Sequence, residues 1–249
     1  MTNKNMYLSN IDLIIFDCDG VLIDSEYLFS ATISETLKDL GIDLPASEAH
    51  RKFTGTPMTG IMEMCRTEYG VTDPATLARS TNERFYERCQ ERLRAMPGIE
   101  DAISRVKRPK CVASNSTLER LRNSLGMLDL WNAFAPDIFS AEQVSRPKPA
   151  PDLLLLCAER FKARPFACVM IDDSAHGMAA AVAAGMIPIG FIDPKDPRQD
   201  RHSTLSDHGA HAVALGAGAI LDILESIDRQ LAEDLQTGHS TEKSFACED

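Results

Sequence analysis

Two aspartates, Asp17 and Asp19, directly follow an apolar run that extends from residue 11 to residue 16 with one acidic interruption. A run of this length is typical of a buried parallel strand. In open α/β sheets, ligands bind beyond the carboxyl ends of the strands, and Gly20 lets the backbone turn sharply at that point. A plain Asp-Gly turn would explain Asp19 and Gly20, but it would not explain the carboxylate that ends the strand. We therefore expect a ligand-binding or catalytic site at this end of the strand.

Three more groups of polar residues follow predicted strands or a rigid loop: Ser114 with Asn115, Lys148, and Asp172 with Asp173. Each group alone has an ordinary explanation, as a helix cap, a solvated loop cation or a partner for a helix dipole. At one edge of a parallel sheet, however, two acidic pairs would repel each other unless a cation joined them. Mg²⁺ accepts carboxylate and phosphate oxygens. A lysine and a serine hydroxyl beside it would complete a site for a phosphate group.

The elements that must position these residues alternate between strand and helix from about residue 97 onwards, which predicts a doubly wound parallel sheet of the α/β class. Between residues 24 and 93 the apolar spacing is helical throughout, so this segment is an insertion after the first strand. It leaves the sheet just after the two aspartates and returns near Pro97, and we expect it to cover the site as a cap. The predicted units are a core of residues 1–23 and 94–235, a helical cap of residues 24–93, and a polar tail of residues 236–249.

Composition excludes several classes of function. The 249 residues carry a net charge of -11, so a basic nucleic-acid surface is not expected and an anionic membrane would repel the chain. No apolar stretch approaches the roughly 20 residues of a membrane span, and residues 1–10 lack the apolar core of a signal peptide. The seven cysteines are scattered without a CxxC pair, which favours reduced thiols and a cytoplasmic protein.

The polar groups, taken in order, resemble the four motifs of the haloacid dehalogenase superfamily: Phe16–Val21, Ser114-Asn115, Lys148-Pro149 and Ile171–Ser174. The likeness extends to about residue 191. The helical insertion is similar to the cap of the branch that holds sugar-phosphate phosphatases, including 6-phosphogluconate phosphatases, and β-phosphoglucomutase. The resemblance implies a Rossmann-like core with an inserted cap.

The resemblance also implies roles for individual residues. Asp17 is the nucleophile that forms an aspartyl-phosphate. Asp19 protonates the leaving oxygen and then deprotonates water, so it must be neutral first and charged later. Ser114 and Asn115 bind the phosphoryl oxygens, and Lys148 neutralises Asp17 and the phosphate.

The metal implied by the resemblance is Mg²⁺, bound by Asp17, the main-chain oxygen of Asp19 and Asp173, with Asp172 supporting. The first member of the acidic pair is often Glu in relatives, and its replacement by Asp172 leaves open which of the two is the direct ligand.

The activity that follows is Mg²⁺-dependent hydrolysis of a small phosphorylated sugar, polyol or sugar acid. Thr54, Gly55 and Thr56 of the cap are the candidate substrate surface. A β-phosphoglucomutase-type phosphotransferase is the alternative, although relatives of that type carry an Arg in the loop at 54–58 and a His where Phe29 stands. A phosphonatase would need a cap lysine, for which Lys52 is the nearest candidate. A non-catalytic phosphate-binding relative is a further alternative, and the oligomeric state is left open.

Overall fold

The computed structural model describes residues 9–54, 56, 58–196 and 198–237. Its sheet has six strands, all paired in parallel, in the order β3-β2-β1-β4-β5-β6. They are β1 (Leu13–Phe16), β2 (Lys110–Ser114), β3 (Ile138–Ser140), β4 (Cys168–Asp172), β5 (Ile187–Ile192) and β6 (Ala212–Leu215). The predicted parallel sheet is confirmed.

The α-helices divide into those inserted after β1 and those that alternate with the later strands. The inserted helices are α1 (Ser25–Asp39), α2 (Ala46–Phe53), α3 (Met58–Glu68) and α4 (Pro74–Arg92). The others are α5 (Ile99–Arg105), α6 (Leu118–Met127), α7 (Leu130–Phe134), α8 (Asp152–Phe161), α9 (Ala175–Ala183), α10 (Arg201–Asp207) and α11 (Ala217–Thr237).

Alternate residues of β1 point to opposite faces of the sheet, as the strand period of two requires. Ile14 and Phe16 join a buried cluster with α5, α6, α7 and α11. Leu13 and Ile15 join a second buried cluster, formed with α8 and α9 on the other face. All four side chains are fully buried. Helices therefore cover both faces of the sheet, which is the doubly wound arrangement that the sequence predicts.

The four inserted helices have a hydrophobic cluster of their own, which includes Ile33, Leu37, Phe53 and Leu77. No strand lies in this insertion among the residues that the structure describes.

The chain enters and leaves the insertion through two segments that pair with each other. Ile23 and Ala95 form an antiparallel bridge. The N–H of Asp24 donates to the carbonyl of Arg94 at 2.9 Å, and the N–H of Met96 donates to the carbonyl of Leu22 at 2.9 Å. The insertion is therefore attached to the sheet through one short two-stranded ribbon.

Several boundaries differ from those expected. Helix α2 begins at Ala46, after Pro45 and without a side-chain cap, although Ser47 is the residue whose type would predict a cap there. Helices α7 and α10 are not foreseen from the apolar spacing. Helix α11 continues to Thr237, so the first two residues of the predicted tail are helical, and residues 238–249 lie outside the described part of the chain.

None of the described helices is both long enough and hydrophobic enough to cross a membrane. The six cysteines in the described ranges are buried and not in disulfides, and Cys247 lies outside those ranges.

Candidate active site

The strand order places three of the predicted groups side by side. Strands β2, β1 and β4 are neighbours in the sheet, and all three end at the same edge. Ser114 and Asp172 are the last residues of their strands, and Asp17 follows the end of β1 directly. The N–H of Asp17 donates to the carbonyl of Ile171 at 2.9 Å, which continues the pairing of β1 with β4 by one residue.

Lys148 joins this group from the loop before α8. Its buried ammonium donates to Asp17 Oδ1 at 2.8 Å, to Asp172 Oδ2 at 2.7 Å and to the carbonyl of Ala113 at 3.1 Å. Three acceptors use all three of its N–H groups. The Asn115 amide fixes the main chain of Lys148, because its Nδ2 donates to the lysine carbonyl at 2.9 Å and its Oδ1 accepts from the lysine N–H at 3.1 Å.

Burial and charge act in opposite directions on these ionisable groups. Burial raises the pKa of Asp17, the Lys148 ammonium lowers it, and the neighbouring Asp172 carboxylate raises it again, with a net result of about 7. Burial alone would lower the pKa of Lys148, but the carboxylates of Asp17 and Asp172 raise it above its ordinary value. Lys148 is therefore a fixed positive charge at neutral pH, beside a carboxyl group whose charge depends on the cations near it.

The two members of the acidic pair have different surroundings. Asp172 is fully buried, and both of its oxygens accept hydrogen bonds. Oδ2 accepts from Lys148, while Oδ1 accepts from the N–H of Ser174 at 2.8 Å and from its hydroxyl at 2.7 Å. A Cβ on Gly177 would lie 1.9 Å from the Asp172 carboxyl carbon, so only glycine leaves room for this carboxylate.

Asp173 has a less complete set of partners. Arg201 donates to its carbonyl oxygen, and an Arg201 nitrogen lies 3.5 Å from Asp173 Oδ2. Burial raises the pKa of Asp173 well above its usual range, with the charges of Glu26, Asp172 and Asp17 adding to the effect. Gly20, at φ +78°, passes so close that a Cβ there would lie 2.7 Å from Asp173 Oδ2.

These residues fit a divalent cation. One carboxylate oxygen each from Asp17, Asp172 and Asp173 lies within 4.8 Å of the others. Lys148 and Arg201 are the cationic side chains paired with these carboxylates in the described residues. A hard cation with oxygen ligands would relieve the repulsion between the carboxylates.

Asp19 is placed beside this group, but its side chain forms a separate set of hydrogen bonds. Its Oδ1 accepts from the Ser25 hydroxyl at 2.6 Å and from Arg120 Nη2 at 2.8 Å, and its Oδ2 accepts from the Ser116 hydroxyl at 2.8 Å. Burial raises the pKa of Asp19, but the charge of Arg120 and the hydroxyl donors outweigh it and lower the pKa overall. The structure therefore favours a charged Asp19, whereas the predicted acid role also needs a neutral one.

Ser114 and the two threonines of the insertion have different hydrogen-bond partners. Ser114 is buried at the end of β2, where its Oγ accepts from the N–H of Ser116 at 3.2 Å. The Thr54 hydroxyl is hydrogen bonded to His50 Nδ1 at 2.8 Å. Thr56 donates its N–H to the carbonyl of Phe53 at 2.9 Å, and Gly55 lies outside the described residues. Within those residues, no hydrogen bond joins Thr54 or Thr56 to the carboxylate group.

Sequence reasoning missed the arginines of the site and one carboxylate. Arg120 and Arg201 contact Asp19 and Asp173, as described above. Glu26, whose pKa is raised to about 7 by burial against the opposing charge of Arg198, lies with a carboxylate oxygen 3.6 Å from that arginine. The available signal for the carboxylate was the acidic segment Asp24-Ser25-Glu26 shortly after the two aspartates, but nothing in the apolar spacing points to the two arginines.

Comparisons with known proteins find a matching family model and similar sequences. A family model described as haloacid dehalogenase-like hydrolase matches residues 14–191. The 6-phosphogluconate phosphatase of Escherichia coli K12 is 31% identical over 184 residues, which cover 72% of this chain and 81% of that protein. Hexitol phosphatase B of the same organism is 30% identical over 192 residues, which cover 74% of this chain and 86% of that protein.

A solved structure shares the fold. A HAD family hydrolase from Deinococcus radiodurans R1, crystallised with bound phosphate and sodium, aligns with a TM-score of 0.79 at 27% identity. The alignment covers 88% of this chain and 97% of that one.

Proposed function

The chain belongs to the haloacid dehalogenase-like hydrolases, and on that premise we propose that it is a Mg²⁺-dependent phosphatase of a small phosphorylated sugar, polyol or sugar acid. The resemblance noted in the four motifs, and the prediction of a hydrolase, are confirmed by the family match. The observation that carries the proposal is the buried Lys148 ammonium between Asp17 and Asp172, with Asp173 adjoining. The substrate class is supported by the names of the two phosphatases from Escherichia coli.

In the proposed reaction, Asp17 attacks the phosphorus atom, and the bond to the leaving oxygen breaks as the aspartyl-phosphate forms. Asp19 gives a proton to the leaving oxygen. It then takes a proton from the water that hydrolyses the aspartyl-phosphate, which returns Asp19 to its neutral form. Lys148 holds Asp17 in place and balances charge on the phosphoryl oxygens. Asp19 accepts three hydrogen bonds as a carboxylate, and each of them weakens when it carries the proton, because a neutral carboxyl group is a poorer acceptor.

We propose that Asp17, the main-chain oxygen of Asp19 and Asp173 hold the Mg²⁺. Asp172 is a supporting residue, because both of its oxygens already accept hydrogen bonds from Lys148 and Ser174. When bound, Mg²⁺ would supply positive charge to the transferring phosphoryl group.

For the phosphate itself, we propose the Ser114 hydroxyl and the main-chain N–H of Asn115, since the Asn115 amide is occupied by Lys148. Residues 24–93 are the proposed cap over a core of residues 1–23 and 94–235. Thr54 and Thr56, with Gly55 between them, are the proposed cap residues that contact substrate hydroxyls.

Hydrolysis is favoured over mutase activity by the packing of Phe29. A mutase of this branch has a polar His at that position, whereas the Phe29 ring lies against Phe85 with ring centres 5.6 Å apart. A phosphonatase is disfavoured because Lys52, the candidate cap lysine, forms an ion pair with Glu68 and lies 4.9 Å from the centre of the Tyr69 ring.

The test is phosphate release from a panel that includes 6-phosphogluconate, hexitol phosphates, hexose phosphates and p-nitrophenyl phosphate, with Mg²⁺ and with excess EDTA. We expect turnover of at least one sugar-type phosphate, loss of it in EDTA and recovery with Mg²⁺ or Mn²⁺. Asp17→Asn should abolish turnover in a folded protein, whereas Asp101→Asn, which changes an exposed carboxylate of α5, should not.

Full activity in EDTA, or more than a few per cent activity in folded Asp17→Asn, would contradict the proposal. To test the alternative, glucose 1-phosphate is supplied with a bisphosphate activator. Formation of glucose 6-phosphate faster than free phosphate would identify a mutase.

A further inference from the structure

Arg120 connects Asp19 to a helix of the insertion. It lies in the first turn of α6, where its N–H donates to the Thr117 hydroxyl at 3.2 Å. Its Nη2 donates to Asp19 Oδ1 at 2.8 Å, and its guanidinium carbon lies 5.5 Å from the centre of the Phe85 ring on α4. One side chain therefore contacts both the carboxylate and the helix packed above it.

Arg120 is the charged member of the donor set around Asp19. The other two donors are the hydroxyls of Ser25, at the start of α1, and Ser116, just before α6. A charge-assisted bond from a guanidinium is stronger than a bond from a neutral hydroxyl and has a more restricted geometry. The direction of the Asp19 carboxylate therefore depends more on Arg120 than on either serine.

The space beside Arg120 is open. A cavity of about 490 Å³ lies between α4 and α6, and its lining includes Ser25, Tyr86, Arg120 and Asn123. A third of the Arg120 side chain is accessible to solvent. The guanidinium is therefore held by Asp19 and the Phe85 ring rather than by close packing on all sides, and it has room to move if α4 shifts relative to α6.

We propose that Arg120 is a positioning residue that fixes the Asp19 carboxylate for proton transfer and makes its position depend on the packing of α4. The inference rests on the proposed function, because it takes Asp19 as the group that protonates the leaving oxygen. Arg120 itself exchanges no proton and acts only through its bond to Asp19 in this role.

A positioning role predicts a dependence on the leaving group. An alkoxide leaves poorly and needs the proton from Asp19, whereas p-nitrophenolate leaves readily without it. Arg120→Met should therefore slow leaving-group release from a sugar phosphate on the order of 10-fold to 100-fold. This is at or below the lower end of the roughly 10²–10⁴-fold that general acid catalysis contributes, because Asp19 is displaced and not removed. Release of p-nitrophenol from p-nitrophenyl phosphate should change by less than about threefold.

The measurement is single-turnover release of the leaving group, which isolates the first step from hydrolysis of the aspartyl-phosphate. Arg122→Met is the matched control, because Arg122 is on the same helix and lies over an aromatic ring, that of Trp131, at 5.6 Å. It should match wild type with both substrates. Arg120→Lys, or Arg120→Met with added guanidinium ion, should recover part of the lost rate.

The dependence on α4 is tested with Phe85→Leu. This variant should show the same selective loss with the sugar phosphate, and the double variant with Arg120→Met should lose much less than the product of the two single effects. If the losses caused by Arg120→Met and Phe85→Leu multiply in the double variant, the proposed dependence of Asp19 on the packing of α4 is wrong.

Equal losses with both substrates, or no loss, in folded Arg120→Met would overturn the inference, and the neutral variant Arg120→Gln provides the same comparison if the Met variant does not fold. Failure of the proposed function is seen separately, as absence of phosphate release by the wild-type protein.

Discussion

At the scale of single residues, Gly177 gives Asp172 the space that its carboxylate occupies. Gly177 is in helix α9, where alanine would ordinarily be preferred by about 0.5–1 kcal/mol. A Cβ at this position would lie within 2.3 Å of all three atoms of the Asp172 carboxyl group. The carboxylate would have to move, and its bonds to Lys148 and Ser174 would be lost with it.

We predict that Gly177→Ala lowers the free energy of unfolding by about 1–3 kcal/mol, as overpacking and broken buried hydrogen bonds do. Phosphatase activity should fall at least about 10-fold, because a 1 Å displacement of a positioned group can cost more than that. Urea unfolding and steady-state kinetics measure the two effects.

Gly126→Ala is the control for this substitution. Gly126 is in helix α6, and an added Cβ would meet no atom within 4 Å. It should leave activity unchanged and stability equal or slightly higher. A Gly177→Ala protein as stable and active as the Gly126→Ala protein would show that the space around Asp172 is not required.

The positions of Asp17, Ser114 and Asp172 could be predicted at this scale because each follows a strand that its own apolar run identifies. The contacts of Arg120 and Arg201 could not be predicted. Long arginine side chains reach across elements that are far apart in the sequence, and their direction is determined by tertiary packing. The same reason explains Asn115, whose side chain binds the main chain of Lys148 rather than being free for phosphate.

At the scale of elements, an ion pair joins the start of β1 to the loop before β4. Asp12 accepts from Arg164 Nε at 2.8 Å, from Nη2 at 3.0 Å and from the main-chain N–H at 3.0 Å. These hydrogen bonds, with the charge of Arg164, lower the pKa of Asp12 below its ordinary value of 3.8. The pair lies at the opposite end of β1 from the proposed catalytic residues, so its effect on stability can be measured without an effect on the candidate site.

We predict that Asp12→Asn lowers the free energy of unfolding at pH 7 by roughly 1 kcal/mol or less, the usual range for a pair partly open to solvent. Because the pKa of Asp12 is lower in the folded protein than in the unfolded chain, its stabilisation is full above pH 4. This stabilisation is lost as the pH falls through the pKa that Asp12 has in the folded protein. Urea unfolding of both proteins should show a smaller difference in the free energy of unfolding between wild type and variant at pH 3.5 than at pH 7.

Asp101→Asn is the comparison for this pair, since Asp101 is an exposed carboxylate 3.5 Å from Arg105 on the same helix. It should change stability less at pH 7. A difference between wild type and Asp12→Asn that grows towards acid pH would contradict the assigned sign.

Most elements could be predicted from their apolar spacing, and the exceptions have a common cause. Helix α10 contains a single aliphatic residue, Leu205, so it shows no helical periodicity even though that residue is fully buried. Helix α7 has only five residues, too few for a pattern. The end of α11 continues beyond Leu231, its last buried residue, where the backbone remains helical without an apolar face to reveal it.

At the scale of the whole molecule, the insertion has a hydrophobic cluster of its own, although Leu28, Phe85 and Cys89 of its helices belong to the sheet cluster and Phe29 packs against both. The insertion's own cluster suggests that this part of the chain can unfold while the sheet stays folded. The chain has a single tryptophan, Trp131 on α7, which packs against the sheet cluster. Its fluorescence therefore reports on the sheet, whereas far-ultraviolet circular dichroism reports on all helices.

We predict that Leu37→Ala, in the insertion cluster, separates the two unfolding curves, with circular dichroism lost at a lower urea concentration than the fluorescence signal. Leu224→Ala, in α11, should shift both curves together. Both leucines are fully buried, so each substitution should cost about 2–5 kcal/mol. Coincident curves for Leu37→Ala would show that the insertion and the sheet unfold as one unit.

The two-stranded ribbon at Ile23 and Ala95 also affects the rate at which the sheet folds. Joining two points of a flexible chain costs entropy that rises by about 0.6 kcal/mol for each doubling of the length between them. Strand β1 must pair with β2 across the whole insertion, and that long separation slows folding when the chain between them is disordered. Once the inserted helices have folded and the ribbon has formed, the effective loop between the two strands is short. A different helical segment joined to the sheet by the same two ribbon segments would impose nearly the same entropic cost of loop closure. We therefore expect the sheet to fold when the insertion is replaced by such a segment.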